Sequence, residues 1–207
     1  MIAVIDYGCG NPGSIVNMYK AIGKKAVITD QISAIRKADH LILPGVGAFD
    51  AGMEQLKKKG LVPVIQKLAL EEKKPVLGIC LGMQLLGMGS EEGKLEGLGL
   101  IPFTCVRFAF QERTDLKIPH MGWDIVRFRR QHPLLEGLQG TQRYYFVHSY
   151  HAVCQSDEHI LMTCEYGYEF AAAVFKDNVT GVQFHPEKSH DFGMELLKNF
   201  AERNGRY

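Results

Sequence analysis

The chain has 207 residues, 46% of them hydrophobic and 23% charged, a balance that is typical of a globular protein with a sizeable core. With 24 Lys and Arg against 23 Asp and Glu, its formal net charge is +1, which argues against a nucleic-acid partner. The five cysteines are irregularly spaced, which predicts a reduced, cytoplasmic protein with no metal site. The N-terminal segment soon reaches an acidic residue, which argues against a signal peptide. No uncharged apolar stretch is long enough to cross a membrane, so no membrane partner is expected.

The first half of the chain alternates short apolar runs with longer amphipathic runs. This pattern predicts strands at 2–5, 26–29, 41–43 and 76–79, and helices at 11–22, 32–37, 49–58 and 61–72. Strands that alternate with helices are typical of βαβ units, which build a parallel sheet covered on both faces.

The second half has short β-rich segments separated by Gly, Pro and Asn. They lie at 98–110, 118–127, 144–147, 152–154, 160–164 and 171–175, followed by a strand at 179–184 and a helix at 189–200. No repeat or linker divides the chain. We therefore expect one α/β domain over residues 1–207, with an open, mainly parallel sheet, flanking helices and an antiparallel β extension in the second half.

Cys80 lies at the boundary between the fourth apolar run and an amphipathic run, within a Gly-x-Cys-x-Gly sequence. This is the strand–turn–helix context of a nucleophile elbow, with Cys in place of Ser. The turn is tight, so a Cβ at either flanking glycine would crowd it. The start of the following helix favours a thiolate. The alternative is a small buried hydrophobic residue, the commoner fate of a lone cysteine after a strand.

A cysteine nucleophile needs a base and a group that orients the base. His185 and Glu187 follow the last predicted strand and flank Pro186. If this segment is extended, side chains two residues apart project to the same side, so Glu187 can hold the imidazole in one tautomer. Because strand ends of an open parallel sheet converge at one edge, Cys80 and His185 can meet there. The alternative is a plain turn.

Acyl transfer also needs donors to an oxyanion. The elbow supplies the backbone N–H of Leu81. A second donor is expected from the glycine-containing segment 44–48, which also follows a parallel strand. That segment also fits an ordinary β-to-α turn, and the two interpretations are compatible.

Three motifs together resemble the signatures of class I glutamine amidotransferases. They are Pro44-Gly45-Val46-Gly47, Gly78-Ile79-Cys80-Leu81-Gly82-Met83-Gln84 and Phe184-His185-Pro186-Glu187-Lys188-Ser189. The resemblance implies a flavodoxin-like sheet, no cofactor, and hydrolysis of L-glutamine to glutamate and ammonia through a thioester on Cys80. In that mechanism His185 transfers the proton and Glu187 orients the imidazole of His185. Backbone N–H groups of Leu81 and of Val46 or Gly47 donate to the oxyanion. The residues implied to hold glutamine are Gln84, Glu92, Ser149 and Tyr150.

Further motifs at 6–11, 119–123 and 145–150 resemble, within this family, the glutaminase subunits of a two-subunit synthase of histidine biosynthesis. That likeness implies a heterodimer with a (β/α)₈-barrel cyclase subunit, which receives the ammonia. It also places Pro119, Met121 and Trp123 in the subunit interface, although from sequence the last two suit the core of the β extension equally well.

The chain departs from the usual pattern at Asp124, where Asn is common, and at His190, where Gln is usual. Neither touches the cysteine chemistry, but both bear on the ammonia acceptor. A related subunit that supplies a sugar-modifying amidotransferase, for example in a surface-polysaccharide pathway, therefore stays open as an alternative. So do a stand-alone cysteine hydrolase such as a γ-glutamyl hydrolase, and a non-catalytic binding module.

Overall fold

A computed structural model describes residues 1–110 and 115–202. The helices are α1 (Pro12–Ala21), α2 (Ile32–Lys37), α3 (Phe49–Lys58), α4 (Leu61–Leu70), α5 (Leu81–Leu85) and α6 (His190–Glu202). The strands are β1 (Ile2–Ile5), β2 (Ala26–Thr29), β3 (His40–Gly45), β4 (Val76–Cys80), β5 (Gly89–Ser90), β6 (Phe103–Arg107), β7 (His120–Phe128), β8 (Arg143–His148), β9 (Tyr150–Cys154), β10 (Ile160–Tyr166), β11 (Tyr168–Lys176) and β12 (Val179–Val182). Among these helices, none is both long and apolar enough to cross a membrane.

The strands pair in the order β2-β1-β3-β4-β12-β11-β10-β7-β8. The pairs from β2 to β12 are parallel, whereas the pairs from β12 to β8 are antiparallel. Strands β5, β6 and β9 form a side branch that joins the sheet where β9 pairs with β11. The predicted α/β fold, with a parallel sheet and an antiparallel extension in the second half, is confirmed.

The central parallel strands β1, β3, β4 and β12 are mostly apolar because both of their faces are buried, whereas the edge strand β2 is partly exposed. In β1, Ala3 and Ile5 pack in the cluster that contains the apolar residues of α2, α3 and α4. Their neighbours Ile2 and Val4 point the other way and pack with α1 and α6. Alternate residues of one strand therefore fix the helical layers on the two sides of the sheet.

The order β2-β1-β3-β4-β12 reverses direction at the junction of β1 and β3. In open α/β sheets, the crevice outside the carboxyl ends of the strands at such a point is where ligands bind. The segments that follow β1, β3 and β4 all lie at this edge, so the fold gathers Gly45 and Cys80 there, paired across β3 and β4.

Several boundaries differ from those predicted. The segment 98–110 contains a strand only at β6, because Leu98 and Leu100 are buried in a loop whose N–H groups donate to the carbonyls that end α5. Strand β3 continues through Pro44 to Gly45, and β12 ends at Val182 rather than at 184. The two-residue strand β5 was not predicted, since so short a run carries no periodicity.

Candidate active site

Cys80 ends β4 and caps α5 with a strained backbone. Its φ is +54° and its ψ is −113°, a region that non-glycine residues rarely occupy. Such strain persists only where the surrounding structure enforces it, and it concentrates at functional sites. The turn therefore has the geometry predicted for a nucleophile elbow.

The two glycines around Cys80 are required by close packing. A Cβ on Gly78 would lie 2.7 Å from the carbonyl oxygen of Gly82 and equally near the side chain of Leu86. A Cβ on Gly82 would lie 1.7 Å from the carbonyl oxygen of Leu43. The prediction that a side chain at either position would crowd the turn is confirmed.

His185 reaches Cys80 through the pairing of β12 with β4, which sets Val182 beside Ile79. The backbone N–H of His185 donates to the carbonyl of Tyr145 at 2.9 Å, which ties this segment to β8 as well. Both His185 and Cys80 are buried. The histidine Nε2 makes no hydrogen bond of standard geometry, yet it lies near enough to the sulfur for the two groups to interact.

Glu187 holds the other side of the imidazole. Its Oε1 lies 2.7 Å from Nδ1 of His185, and a carboxylate oxygen accepts, so Nδ1 carries a hydrogen and Nε2 faces the sulfur. Burial acts to lower the pKa of His185, but its interactions with Cys80 and Glu187 outweigh burial and raise the pKa to about 10. The arrangement therefore favours an imidazolium held between the Cys80 sulfur and the Glu187 carboxylate.

The reason given for this contact from sequence was wrong. Pro186–Lys188 is a 3₁₀ turn and not an extended segment. Proline fixes φ near the helical value and suits a first helical position, so the chain turns directly after His185. The 3₁₀ turn brings the Glu187 carboxylate to the imidazole, whereas in an extended segment the two side chains would lie side by side.

A cavity of about 250 Å³ opens beside the nucleophile. Its wall is formed by Val46, Gly47, Cys80, Leu81, Gln84, Glu92, Pro119, Val147, His148, Ser149 and Tyr150. All of the residues predicted for the oxyanion and for glutamine are in this wall, and so is Pro119. Met121 and Trp123 are not, because they lie exposed on β7. A larger cavity of about 770 Å³, between Phe128 and Leu138, contains none of the predicted site residues.

The predicted glutamine-binding residues differ in their contacts. Glu92 accepts a hydrogen bond at 2.9 Å from the N–H of Phe49, at the start of α3. Gln84 is buried, and its amide nitrogen donates to the carbonyl of Tyr150 at 3.2 Å and to Oε1 of Gln183 at 3.1 Å. The cavity therefore presents a carboxylate and backbone groups close to Cys80. Such groups suit a small ligand with both amino and carboxylate ends.

Three residues at the site were not found from sequence. The amide nitrogen of Gln183 lies 3.8 Å from the Cys80 sulfur, so it can stabilise negative charge there. Ser189 donates to the carbonyl of His185 at 2.6 Å and accepts from the N–H of Tyr145 at 3.0 Å, which fixes the turn. His148 lines the cavity, and burial lowers its pKa to about 3. None of the three was given a role from sequence, because each acts through contacts with residues distant in the chain.

Within the described ranges, no group of three or more His, Cys, Asp or Glu side chains is arranged to hold a metal ion. The site instead combines a sulfur nucleophile, an oriented imidazole and backbone donors. That set can attack an acyl carbon and donate a proton to the leaving group.

Comparison with known proteins supports this interpretation. Residues 3–204 match the family model described as glutamine amidotransferase class-I. The chain is 54% identical over 202 residues to imidazole glycerol phosphate synthase subunit HisH 2 of Pseudomonas aeruginosa, with 98% of this chain and 99% of the relative covered. It is equally similar, at 54% over 203 residues, to the subunit of the same name from Methanococcus maripaludis, with 98% and 100% covered.

Solved structures with low sequence identity share the fold. PurLQS from Thermotoga maritima superposes with a TM-score of 0.72 at 19% identity, over 96% of each chain. The glutaminase domain of CTPS from Trypanosoma brucei gives a TM-score of 0.66 at 14% identity, over 98% of this chain and 94% of the other. Both align along nearly the whole length of this chain.

Proposed function

Because this chain belongs to the class-I glutamine amidotransferase family, we propose that it is the glutamine-hydrolysing subunit of an imidazole glycerol phosphate synthase in histidine biosynthesis. Residues 1–207 form one glutaminase domain in this proposal. The observation that carries the chemistry is the Cys80 elbow beside a buried imidazole held by Glu187 at 2.7 Å.

The reaction begins when the Cys80 thiolate attacks the side-chain amide carbon of glutamine. Backbone N–H groups of Leu81 and of Val46 or Gly47 stabilise the oxyanion that forms. The first N–H groups of a helix have no partner within it, which leaves that of Leu81 free to donate. Nε2 of His185 gives its proton to the departing nitrogen, so ammonia leaves and a glutamyl thioester remains.

Hydrolysis completes the cycle. His185, now neutral, takes a proton from water as the water attacks the thioester carbon, and the sulfur leaves with glutamate released. Glu187 keeps Nδ1 protonated throughout, so the same nitrogen serves as acid and then as base. Gln84, Glu92, Ser149 and Tyr150 line the cavity where the amino and carboxylate ends of glutamine would bind.

The ammonia would pass to a (β/α)₈-barrel cyclase subunit in a heterodimer. That subunit would join it to a phosphoribulosyl-formimino carboxamide nucleotide, giving imidazole glycerol phosphate and an aminoimidazole carboxamide ribotide. The exposed side chains of Met121 and Trp123 on β7, next to Pro119 at the cavity, support a partner on this side of the molecule. An exposed apolar patch rimmed by polar groups is typical of an interface.

A second acceptor is favoured by the surroundings of Trp123. The ring of His190 stacks on Trp123 at 5.5 Å with an interplanar angle of 3°, and Asp124 turns inward to His120. Both residues depart from the usual pattern: His190 lies against the exposed Trp123, and Asp124 lies on the opposite face of β7. A sugar-modifying amidotransferase as the ammonia acceptor is therefore the second candidate.

The test is to measure glutamate release by the wild-type chain and by Cys80→Ala, alone and with each candidate acceptor subunit. We expect Cys80→Ala to lose at least about a thousandfold in rate while still forming the complex. Substantial hydrolysis by Cys80→Ala would refute the mechanism. Stimulation by the sugar amidotransferase but not by the cyclase would replace the first acceptor with the second.

A further inference from the structure

A chain of three side chains connects Asp124, a partly exposed residue of β7, with the wall of the cavity. Oδ2 of Asp124 lies 2.6 Å from Nε2 of His120, and Nδ1 of His120 lies 3.0 Å from Nε2 of His148. Nδ1 of His148 lies 2.8 Å from the carbonyl oxygen of Tyr150. Asp124 is 39% exposed, whereas both imidazoles are buried. The chain therefore begins in solvent and ends beside the nucleophile.

The positions of the hydrogens follow from the cavity end of this chain. A carbonyl oxygen can only accept, so Nδ1 of His148 must carry a hydrogen and donate to Tyr150. Burial keeps His148 neutral, since its pKa is lowered to about 3, and its Nε2 is therefore an acceptor. The 3.0 Å contact then requires that His120 donate from Nδ1.

This requirement leaves a conflict at Asp124. A neutral His120 with its hydrogen on Nδ1 has a bare lone pair on Nε2, facing a carboxylate oxygen at 2.6 Å. Two acceptors do not approach so closely without a hydrogen between them. The contact is satisfied only when one further proton is shared by His120 and Asp124, as imidazolium with carboxylate or as imidazole with carboxylic acid.

The groups around the two imidazoles do not supply that proton. The ring of His120 stacks on Tyr166 at 4.1 Å and on Phe146 at 4.8 Å, and its titratable neighbours are Asp124, His148 and Tyr166. Asp124 is faced in addition by the thiol of Cys164 on β10. His148 is faced by His120, His151 and His185. Burial lowers the pKa of His120, while the hydrogen bond and charge of Asp124 act against that effect. The shared proton is therefore lost readily as pH rises.

Beyond Tyr150 the chain continues to the nucleophile. The same carbonyl accepts from the amide nitrogen of Gln84 at 3.2 Å, and that nitrogen also donates to Oε1 of Gln183 at 3.1 Å. The amide nitrogen of Gln183 then lies 3.8 Å from the Cys80 sulfur. Each link fixes the orientation of the next, so a change at the carbonyl of Tyr150 reaches the group that donates to the sulfur.

We propose that Asp124 and His120 are positioning residues for the Cys80 chemistry, and that the proton they share holds His148, Tyr150, Gln84 and Gln183 in the arrangement that supports the sulfur. The proposal rests on the glutaminase function proposed above. When the proton is lost, the carboxylate and the bare Nε2 repel, and the exposed Asp124 moves into solvent. The imidazoles are then free to change tautomer, and the orientation of the donors at the cavity is no longer fixed.

Asparagine at position 124 can keep the hydrogen bond to His120 without the additional proton that Asp124 requires. An amide nitrogen donates to Nε2 of a neutral His120, so Asp124→Asn completes the same chain with no additional proton. Asp124→Ala removes the contact at every pH. Asp177→Asn is the matched control, because it removes one carboxylate charge from a residue whose side chain is 68% exposed, on the turn between β11 and β12.

The first measurement is ¹⁵N NMR of the histidine ring nitrogens in the full chain, which needs neither substrate nor partner. At acidic pH we expect His120 to be protonated on both nitrogens, or on Nδ1 with a proton shared toward Asp124, and His148 to be protonated on Nδ1 alone. In Asp124→Asn, His120 should be neutral with its hydrogen on Nδ1 across the whole range. A bare Nδ1 on His120 in the wild-type chain at acidic pH would overturn the proposal.

The second measurement is the pH profile of glutamine hydrolysis. The ratio of wild-type to Asp124→Asn activity should fall as pH rises from about 5 to about 8, while Asp177→Asn follows the wild type. Relative to Asp124→Asn, which keeps the contact throughout, Asp124→Ala should be about tenfold to a hundredfold less active at every pH, the effect of a misplaced supporting group. Superimposable profiles for all four proteins would refute the positioning role and leave the glutaminase function intact. Absence of hydrolysis in the wild type would instead refute the function.

Discussion

His185 has two ring nitrogens in different surroundings, and this difference is what makes it useful. Nδ1 is held by Glu187 at 2.7 Å, whereas Nε2 faces the Cys80 sulfur. Burial opposes a charged imidazole, but the two neighbours outweigh burial and raise the pKa to about 10. Near neutral pH the histidine therefore holds the proton that the leaving ammonia needs.

Removing either neighbour should lower the pKa of His185. We expect a lower value in Cys80→Ser and in Glu187→Gln, because each substitution removes an interaction that favours the imidazolium. The measurement is an NMR titration of the His185 ring. Glu158→Gln, at a residue with a 69% exposed side chain on another segment, is the control and should leave the value unchanged. An unchanged value in Glu187→Gln would show that the carboxylate does not hold the ring.

The same shift predicts how stability depends on pH. A raised pKa in the folded state stabilises the fold fully below the unfolded value of about 6.5, and this contribution disappears as pH rises through about 10. The difference in free energy of unfolding between the wild type and Glu187→Gln should therefore shrink from pH 6 to pH 10. Urea denaturation at several pH values measures it. A difference that grew with pH would contradict the assignment.

Cys80, His185 and Glu187, which carry the chemistry in the proposed mechanism, could be singled out because their sequence contexts are unusual. A cysteine between two glycines after an apolar run, and His-Pro-Glu after another, have specific physical explanations. Gln183 and His148 could not be predicted, since their roles depend on contacts with residues 99 positions away and 28 positions away in the chain. No local pattern distinguishes them from polar residues on any strand.

Strand β4 and helix α5 show how packing enforces the strained turn. Position 82 faces the backbone of β3, with no space for a side chain. We expect Gly82→Ala to destabilise the protein by about 3 kcal/mol or more, because the obstructing atom is a backbone oxygen that cannot move aside. Gly13→Ala, in α1, meets nothing closer than 3.5 Å and should stabilise by about 0.5 kcal/mol.

Urea denaturation of the two alanine variants tests this pair. Both substitutions add the same methyl group. Opposite changes in the free energy of unfolding would therefore report the difference in packing around the two positions. Equal stabilities for Gly82→Ala and the wild type would mean that the elbow adapts easily, and the argument from close packing would fail.

Most helices and strands of the first half were predicted within one or two residues, because the central parallel strands are buried on both faces and stand out as apolar runs. The boundaries predicted for the second half were less accurate. Residues 98–101 are as apolar as a strand but lie in a buried loop before β6, since their N–H groups donate to the end of α5. An apolar sequence indicates burial, but it does not show whether a short segment pairs with a neighbouring strand.

The exposed apolar residues of β7 alternate along one face of the strand. Met121, Trp123 and Ile125 are 60%, 40% and 55% exposed. If this face binds the acceptor subunit, Trp123→Ala should weaken the complex by about tenfold or more, as for a tryptophan anchor. Leu70→Ala, at an exposed apolar residue of α4, should not. Isothermal titration calorimetry compares the two, and equal affinities would exclude this face.

If this chain supplies ammonia to the cyclase subunit proposed above, the supply can be bypassed. The complex that contains Cys80→Ala should make no cyclised product from glutamine but should regain activity with an ammonium salt at alkaline pH, where free ammonia is present. The reason is that only the source of nitrogen is lost, while the acceptor site is intact. Failure of ammonium to restore product formation would show that Cys80 also contributes to coupling between the subunits.

Acylation of the Cys80 sulfur by glutamine is the step on which the proposed mechanism depends, and rapid acid quenching followed by peptide mass spectrometry detects it. The wild-type chain, mixed with glutamine and quenched during turnover, should carry a glutamyl group on the peptide that contains Cys80. The peptides that contain Cys9, Cys105, Cys154 and Cys164 should remain unmodified. A glutamyl group on any other cysteine, or steady glutamate release with no modified cysteine at any quench time, would contradict the account.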